Sequence, residues 1–228
     1  MIVAIIPARG GSKRLKNKNI KKFYNKPIIS YPINIALKCK IFDFVIVSTD
    51  SKNISVISKK YGANVFFKRP KSISNDTAST QKVIIHSIKW LEKNIKPVKY
   101  ICCIYPATPL LKTSFIKKSF QKLKKGEWDF LISAIKYTNP IQKALYIKNQ
   151  QAKFVTKKLY NKKGDKLQRY FHDAGQFYWG TKKGWQKKKM IENTKTTIYE
   201  IPKHFGVDIN TQDDWNYLLK LYKIFKNT

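Results

Sequence analysis

The residues best suited to chemistry open the chain, in the segment Pro7-Ala8-Arg9-Gly10-Gly11-Ser12-Lys13-Arg14-Leu15-Lys16-Asn17-Lys18-Asn19. Two adjacent glycines let backbone N–H groups approach an anion with no Cβ in the way. Arg9, Lys13 and Lys18 add positive charge and Asn19 adds an amide, so the segment has the composition of a phosphate cradle. It matches neither the G-x-x-x-x-G-K-[ST] loop of P-loop proteins nor the G-x-G-x-x-G turn of dinucleotide binders. Arginine is scarce: the chain has Arg9, Arg14, Arg69 and Arg169 and no other. Arg9 and Arg69 stand in motifs where a planar fork suits phosphate or base recognition better than a point charge.

The elements that must carry this loop alternate between two periodicities. Ile2–Ile6, Phe44–Ser48, Val65–Phe67 and Tyr100–Tyr105 are short apolar runs of the kind that form buried parallel strands. Between them, 51–61 places Ile54, Ile57 and Tyr61 on one helical face behind a Ser51 cap, with Gly62 as its stop. Residues 77–94 put Val83, Ile84, Ser87, Ile88 and Leu91 on one face, and 113–125 repeat the pattern up to Gly126. Strand, helix, strand in that order predicts right-handed crossovers and an α/β, Rossmann-like, mostly parallel sheet flanked by helices. Residues 130–135 resume a strand. From 140 to 184 the rhythm changes to shorter β-like pieces at 144–148 and 176–180, read as an excursion within a single domain spanning 1–228. A strand at 197–201 and a helix from Thr211 close the chain. Thr211 and Asp214 have capping-box spacing, ahead of a stripe of Trp215, Leu218, Leu219, Tyr222 and Phe225.

In a doubly wound sheet, ligands sit beyond the carboxyl ends of the strands, so the loops there carry the function. Ile-Pro-Ala-Arg-Gly-Gly-Ser-Lys after the first strand, followed by Lys18-Asn19, resembles the opening motif of the CMP-sugar-acid synthetases, enzymes of the nucleotide-diphospho-sugar transferase type. The resemblance implies that Ala8, Arg9, Gly10, Gly11, Ser12, Lys13, Lys18 and Asn19 wrap the triphosphate of CTP. Further motifs follow in the family's order: Ser48-Thr49-Asp50, Arg69-Pro70, and Asp76-Thr77-Ala78-Ser79-Thr80. From these the resemblance carries over Arg69 and Thr80 as readers of the cytosine ring. Asp76 has a second reading, as the cap of a helix beginning at Thr77. Tyr105-Pro106-Ala107-Thr108-Pro109 has tyrosine where sialic acid enzymes typically have glutamine, which argues against ordinary sialic acid.

Tyr170-Phe171-His172-Asp173-Ala174-Gly175-Gln176-Phe177-Tyr178-Trp179-Gly180 is similar to a stretch typical of the pseudaminic acid branch, as is Asn139-Pro140-Ile141-Gln142-Lys143. By resemblance, Tyr105, Lys143, Lys163, His172, Gln176 and Tyr178 face the sugar, with Lys143 and Lys163 as candidates for its carboxylate. At Val207-Asp208-Ile209-Asn210 the family usually shows Asp-Ile-Asp, a pair associated with Mg²⁺, so Asp208 and Asn210 are the metal candidates. Asn210 offers an amide oxygen without charge. Either Asp208 suffices with the CTP phosphates, or Asp213 helps, or activity is lowered. Asp213 and Asp214 also read as acids favoured in the first turn of a helix. Arg9, Lys18 and Asp208 are the groups expected to act on the transferring phosphates. The implied reaction moves CMP from CTP to the anomeric hydroxyl of a nine-carbon acidic sugar, pseudaminic acid first, with sialic, legionaminic or Kdo-type acids as alternatives. An inactive homologue is a third reading, resting on Asn210.

Composition sets the outer bounds. With 228 residues and 43% apolar content the chain can bury a core. No apolar run reaches the roughly 18 to 20 residues that span a bilayer. Cys39, Cys102 and Cys103 have no disulfide or zinc spacing, and together with the lack of a basic leader they predict a reducing, cytoplasmic setting. Net charge is +34, almost all of it lysine spread along the chain without a basic tail. That pattern is a coding bias toward lysine rather than a nucleic-acid face, which concentrates its charge on one element. A basic nucleic-acid-binding protein is therefore the competing class, supported by charge alone, and no specific nucleic-acid or membrane partner is expected. The family's excursion reaches a neighbouring subunit, implying a homodimer, with Phe171, Phe177, Tyr178 and Trp179 as candidate contacts.

Overall fold

The structure is a computed structural model that describes residues 1–12, 15–163, 166–187, 192 and 195–226. Lys13, one of the expected phosphate ligands, lies outside the described residues. The main sheet has six strands: β1 (Ile2–Pro7), β4 (Phe44–Ser48), β5 (Tyr100–Ile104), β6 (Phe130–Lys136), β9 (Phe171–Thr181) and β10 (Thr196–Glu200), in the order β10-β6-β9-β5-β1-β4. β1 runs parallel to β4 and β5, and β6 parallel to β10, while β9 runs antiparallel to both β5 and β6. Two small hairpins complete the β structure: β2 (Lys22–Phe23) with β3 (Lys26–Pro27), and β7 (Leu145–Lys148) with β8 (Gln151–Phe154).

Period-two alternation divides the core between the two faces of the sheet. Ala4, Ile6, Cys102 and Ile104 point into one cluster, where α1 (Ser30–Cys39), α4 (Thr113–Lys125) and α6 (Gln212–Phe225) pack. Val3, Ile5, Ile101 and Cys103 point into the other, covered by Ile84, Ile88 and Leu91 of α3 (Thr80–Asn94) and by Trp185 of the short α5 (Lys182–Gln186). The Ser51 cap accepts from Ile54 N ahead of α2 (Lys52–Lys60), and Gly62, at φ 90°, follows its end. At α6, Thr211 and Asp214 form the expected capping box, so Asp214 is spent on backbone N–H groups. Those bonds hold its carboxyl below the usual carboxylate range.

Four expectations need correction. Residues 65–67 form no strand: the segment touches the sheet only through bridges at Ile46–Asn64 and Thr49–Lys68, and Phe66 and Phe67 pack on Trp90 instead. The helix expected from Thr77 begins at Thr80, because Ser79 is the residue that caps it; Asp76 pairs with Arg9. The stretch 140–184 divides in two. β7 and β8 leave as an exposed hairpin, whereas 171–181 is an interior strand of the main sheet. That interior position buries Phe177 and Trp179 completely, Trp179 stacking on Phe42 and Phe120, so neither is available to a neighbouring subunit. Helix α1 was not anticipated from sequence; Pro32 sits in its first turn, where a missing N–H costs nothing.

Candidate active site

The carboxyl ends of β1, β4, β5 and β10 and the start of the antiparallel β9 meet at one edge of the sheet. There the end of β1, the loops after β5 and β10, and β9 contribute to the lining of a cleft of about 1160 Å³. Arg9, Ser12, Lys18 and Asn19 line it from the first loop, Arg69 and Thr80 from the α3 side, Tyr105 from the end of β5, His172, Asp173 and Tyr178 from β9, and Asp208 and Asn210 from the loop before α6.

The two halves separated by almost the whole sequence are tied directly. Lys18 donates from Nζ to the carbonyl of Ile209 at 2.8 Å, which fixes its ammonium between the glycine loop and the segment holding Asp208 and Asn210. Asn19 is buried and its amide nitrogen donates to the Arg9 carbonyl at 2.9 Å, holding the loop's return. Arg9 pairs across the cleft with Asp76. Arg69 is buried, and its guanidinium donates to the hydroxyl and carbonyl of Ser48. Burial lowers its pKa to about 10, so it remains a cation at neutral pH. Thr80 Oγ1 and the Tyr105 hydroxyl are 3.1 Å apart. Asn210 donates its amide to Asp208 Oδ2 at 2.7 Å.

Several expected ligands are used otherwise. Ala8 is fully buried and its N–H continues the sheet ladder to Ser48 O. The Gly10 N–H donates to Asp50 Oδ1 at 2.9 Å, so in this structure that donor holds the loop rather than facing the cleft. Neither Ala8, Gly10 nor Gly11 is among the lining residues. Lys143 lies over the Tyr160 ring, 5.8 Å from its centroid, and Lys163 is exposed; neither lines the cleft. Both sit on the segment that leaves the sheet. Gln176 is buried and spends its amide on Ala174 O and Val207 O, so it braces the site rather than facing a sugar. His172 is exposed at the cleft, packed against Tyr137. Asp50 and Asp173, which stand in the quoted motifs without a role, are both engaged at the site. The signal that could have found them is the rarity of acids here, 13 against 47 basic residues.

As a chemical arrangement, the cleft sets cations (Arg9, Lys18, Arg69) beside a carboxylate–amide pair (Asp208, Asn210), which suits a polyphosphate. Residues 3–224 match the sequence model of the family described as Cytidylyltransferase. The chain is 37% identical over 223 residues to the pseudaminic acid cytidylyltransferase of Campylobacter jejuni, covering 97% of this chain and 96% of that one. It is 32% identical over 200 residues to a Helicobacter pylori protein, named as pseudaminic acid cytidylyltransferase and UDP-2,4-diacetamido-2,4,6-trideoxy-beta-L-altropyranose hydrolase. That match covers 87% of this chain and 38% of the longer protein. Among solved structures, CMP:2-keto-3-deoxy-manno-octonic acid synthetase complexed with CTP shares the fold, with a TM-score of 0.74 at 16% identity over 98% of both chains.

Proposed function

Because the chain belongs to the cytidylyltransferase family, we propose that it transfers CMP from CTP to the anomeric hydroxyl of pseudaminic acid, a nine-carbon acidic sugar, releasing pyrophosphate. The observation that carries this reading is the full-length likeness to the C. jejuni enzyme, combined with the convergence of the motif residues on one cleft. The anomeric oxygen attacks the α-phosphorus, a new P–O bond forms, and the bond to the β-phosphate breaks in line. Such transfers depend on positioning and charge stabilisation more than on covalent help from the protein. Arg9 and Lys18 neutralise the triphosphate, Lys18 held in register by Ile209. Arg69, rigid against Ser48, and Thr80 read the cytosine.

The donor set fits a hard divalent cation. Mg²⁺ takes one or two carboxylates and completes its shell with phosphate oxygens and water. Asp208 with the Asn210 amide oxygen meets that need, and among the described residues no three His, Cys, Asp or Glu side chains gather into a fuller site. When bound, the ion supplies further neutralisation of the phosphates. Changing Asn210→Asp should add a charged ligand and tighten divalent binding about tenfold. Titration with Mn²⁺ followed by electron paramagnetic resonance checks this, and an unchanged affinity would remove position 210 from the shell.

The β7–β8 hairpin presents Leu145, Ile147 and the nearby Val155, Ile147 at 79% exposure, on an arm standing away from the sheet. This supports a homodimer joined through that arm. Light scattering at micromolar concentration should give twice the chain's 26.7 kDa, and Ile147→Glu should return it to the monomer; a monomeric wild type would contradict the dimer. No helix among the described residues is long and apolar enough to cross a membrane, and with buried free thiols the protein is read as cytoplasmic.

The function is tested with purified protein, CTP, Mg²⁺ and a panel of nonulosonic acids, following pyrophosphate. Preferred turnover of pseudaminic acid is expected. Turnover of sialic acid with none of pseudaminic acid would overturn the substrate.

A further inference from the structure

Among the described residues three carboxylates line the cleft: Asp76, Asp173 and Asp208. Asp76 pairs with Arg9, and Asp208 accepts from Asn210. Asp173 is held on both of its oxygens. Its Oδ1 accepts from Gly175 N at 2.8 Å and its Oδ2 accepts from the Tyr178 hydroxyl, while no lysine or arginine among the described residues forms an ion pair with it. The side chain is exposed to the cleft.

An unusual piece of backbone makes this arrangement. Five residue steps on β9, from Asp173 to Tyr178, oppose only two on β6, from Ala134 to Ile132. In a regular strand, residues five apart point to opposite faces and lie about 17 Å apart. The surplus residues instead bulge, Gly175 turning at φ 60°, and Asp173 folds back onto Tyr178. The bulge is anchored on three sides. Phe177 N donates to Ser133 Oγ, Tyr105 N donates to Gln176 O, and the Gln176 amide reaches Val207 O, next to Asp208. Bulges of this kind re-aim side chains beside active sites.

Burial, with Tyr105 and Asp173 adding to it, raises the Tyr178 phenol well above its usual pKa, so the hydroxyl stays a permanent donor. An ionised carboxylate has about four acceptor positions. Gly175 and Tyr178 use one on each oxygen and fix its plane, leaving the others turned to the cleft.

We propose that Asp173 orients the acidic sugar by accepting hydrogen bonds from its hydroxyl or amide N–H groups, with Tyr178 as the positioning residue that holds the carboxylate. Its charge also turns the sugar's own carboxylate away from the β9 wall. A site built to receive such donors rejects analogues that lack them. This rests on the acidic-sugar reading above and names a specificity determinant for it.

Steady-state kinetics with CTP and pseudaminic acid varied separately test the assignment. Asp173→Asn should raise the KM for the sugar about 10- to 100-fold, with the KM for CTP within about twofold. Tyr178→Phe, which keeps the charge but frees its plane, should raise the sugar KM about three- to tenfold. An unchanged sugar KM in Asp173→Asn would overturn the proposal. So would parallel losses in CTP KM and melting temperature, which would mean that the bulge had merely collapsed. A wild type that releases no pyrophosphate with any acidic sugar would sink the substrate reading itself. An active wild type with an indifferent Asp173→Asn removes only this residue's role.

Discussion

Replacing Asp208 by alanine is expected to lower kcat at least about a hundredfold, the usual cost of losing one group that stabilises charge at a reacting phosphate. Asp208 carries the one full negative charge of the Asp208–Asn210 pair, and among the described residues no group of three His, Cys, Asp or Glu side chains forms around it. Asp213 is two residues beyond the cap of α6, and Asp214 is committed to the capping box. Neither can take over without unwinding the helix start. The fold should survive, since among the described residues the Asp208 side chain is held by the single bond from Asn210 on the cleft wall. Rapid-quench measurement of CMP transfer, beside a thermal melt, separates the two effects. Wild-type turnover in Asp208→Ala would exclude this residue from the chemistry.

Arg9→Ala is expected to raise the KM for CTP by roughly 10- to 100-fold, the range for losing a charge-assisted bond to phosphate. Its present partner, Asp76, is 43% exposed, and Arg9 is 33% exposed. An ion pair so open to water contributes at most about 1 kcal/mol to stability, so the melting temperature should barely move. In binding CTP, Arg9 would exchange one weakly held carboxylate for a polyanion, and this predicts affinity that falls with ionic strength. Isothermal titration with CTP in low and moderate salt measures both. An unchanged affinity in Arg9→Ala would place the nucleotide elsewhere.

The strands and helices with strong local periodicity were legible in the sequence. The apolar runs at 2–6 and 44–48, the Ser51 and Thr211 caps and the 113–125 stripe all became elements at or near those bounds. Residues 65–67 look like a strand because their side chains are bulky and apolar. The structure uses that bulk against Trp90, a tertiary choice that propensity does not encode. The antiparallel insertion of β9 was hidden for a similar reason: an interior aromatic strand reads alike in either direction. For the site, linear motifs brought out Arg9, Lys18, Arg69, Thr80, Tyr105, Tyr178 and Asp208, all of which line the cleft. Spacing could not say which residues would be consumed in building it. Gly10 holds Asp50 and Gln176 braces the bulge; both facts depend on partners far away in sequence. Lys143 and Lys163 were drawn from a lysine-rich background in which any position offers a cation.

A structure of the protein crystallised with CTP and Mg²⁺ tests the central claim most directly. The triphosphate should lie within roughly 3 Å of the Arg9 and Lys18 nitrogens, in hydrogen-bond range, with its α-phosphate beside Asp208. A nucleotide bound outside the cleft, for instance in the lysine-lined groove by Lys99 and Lys183, would contradict it.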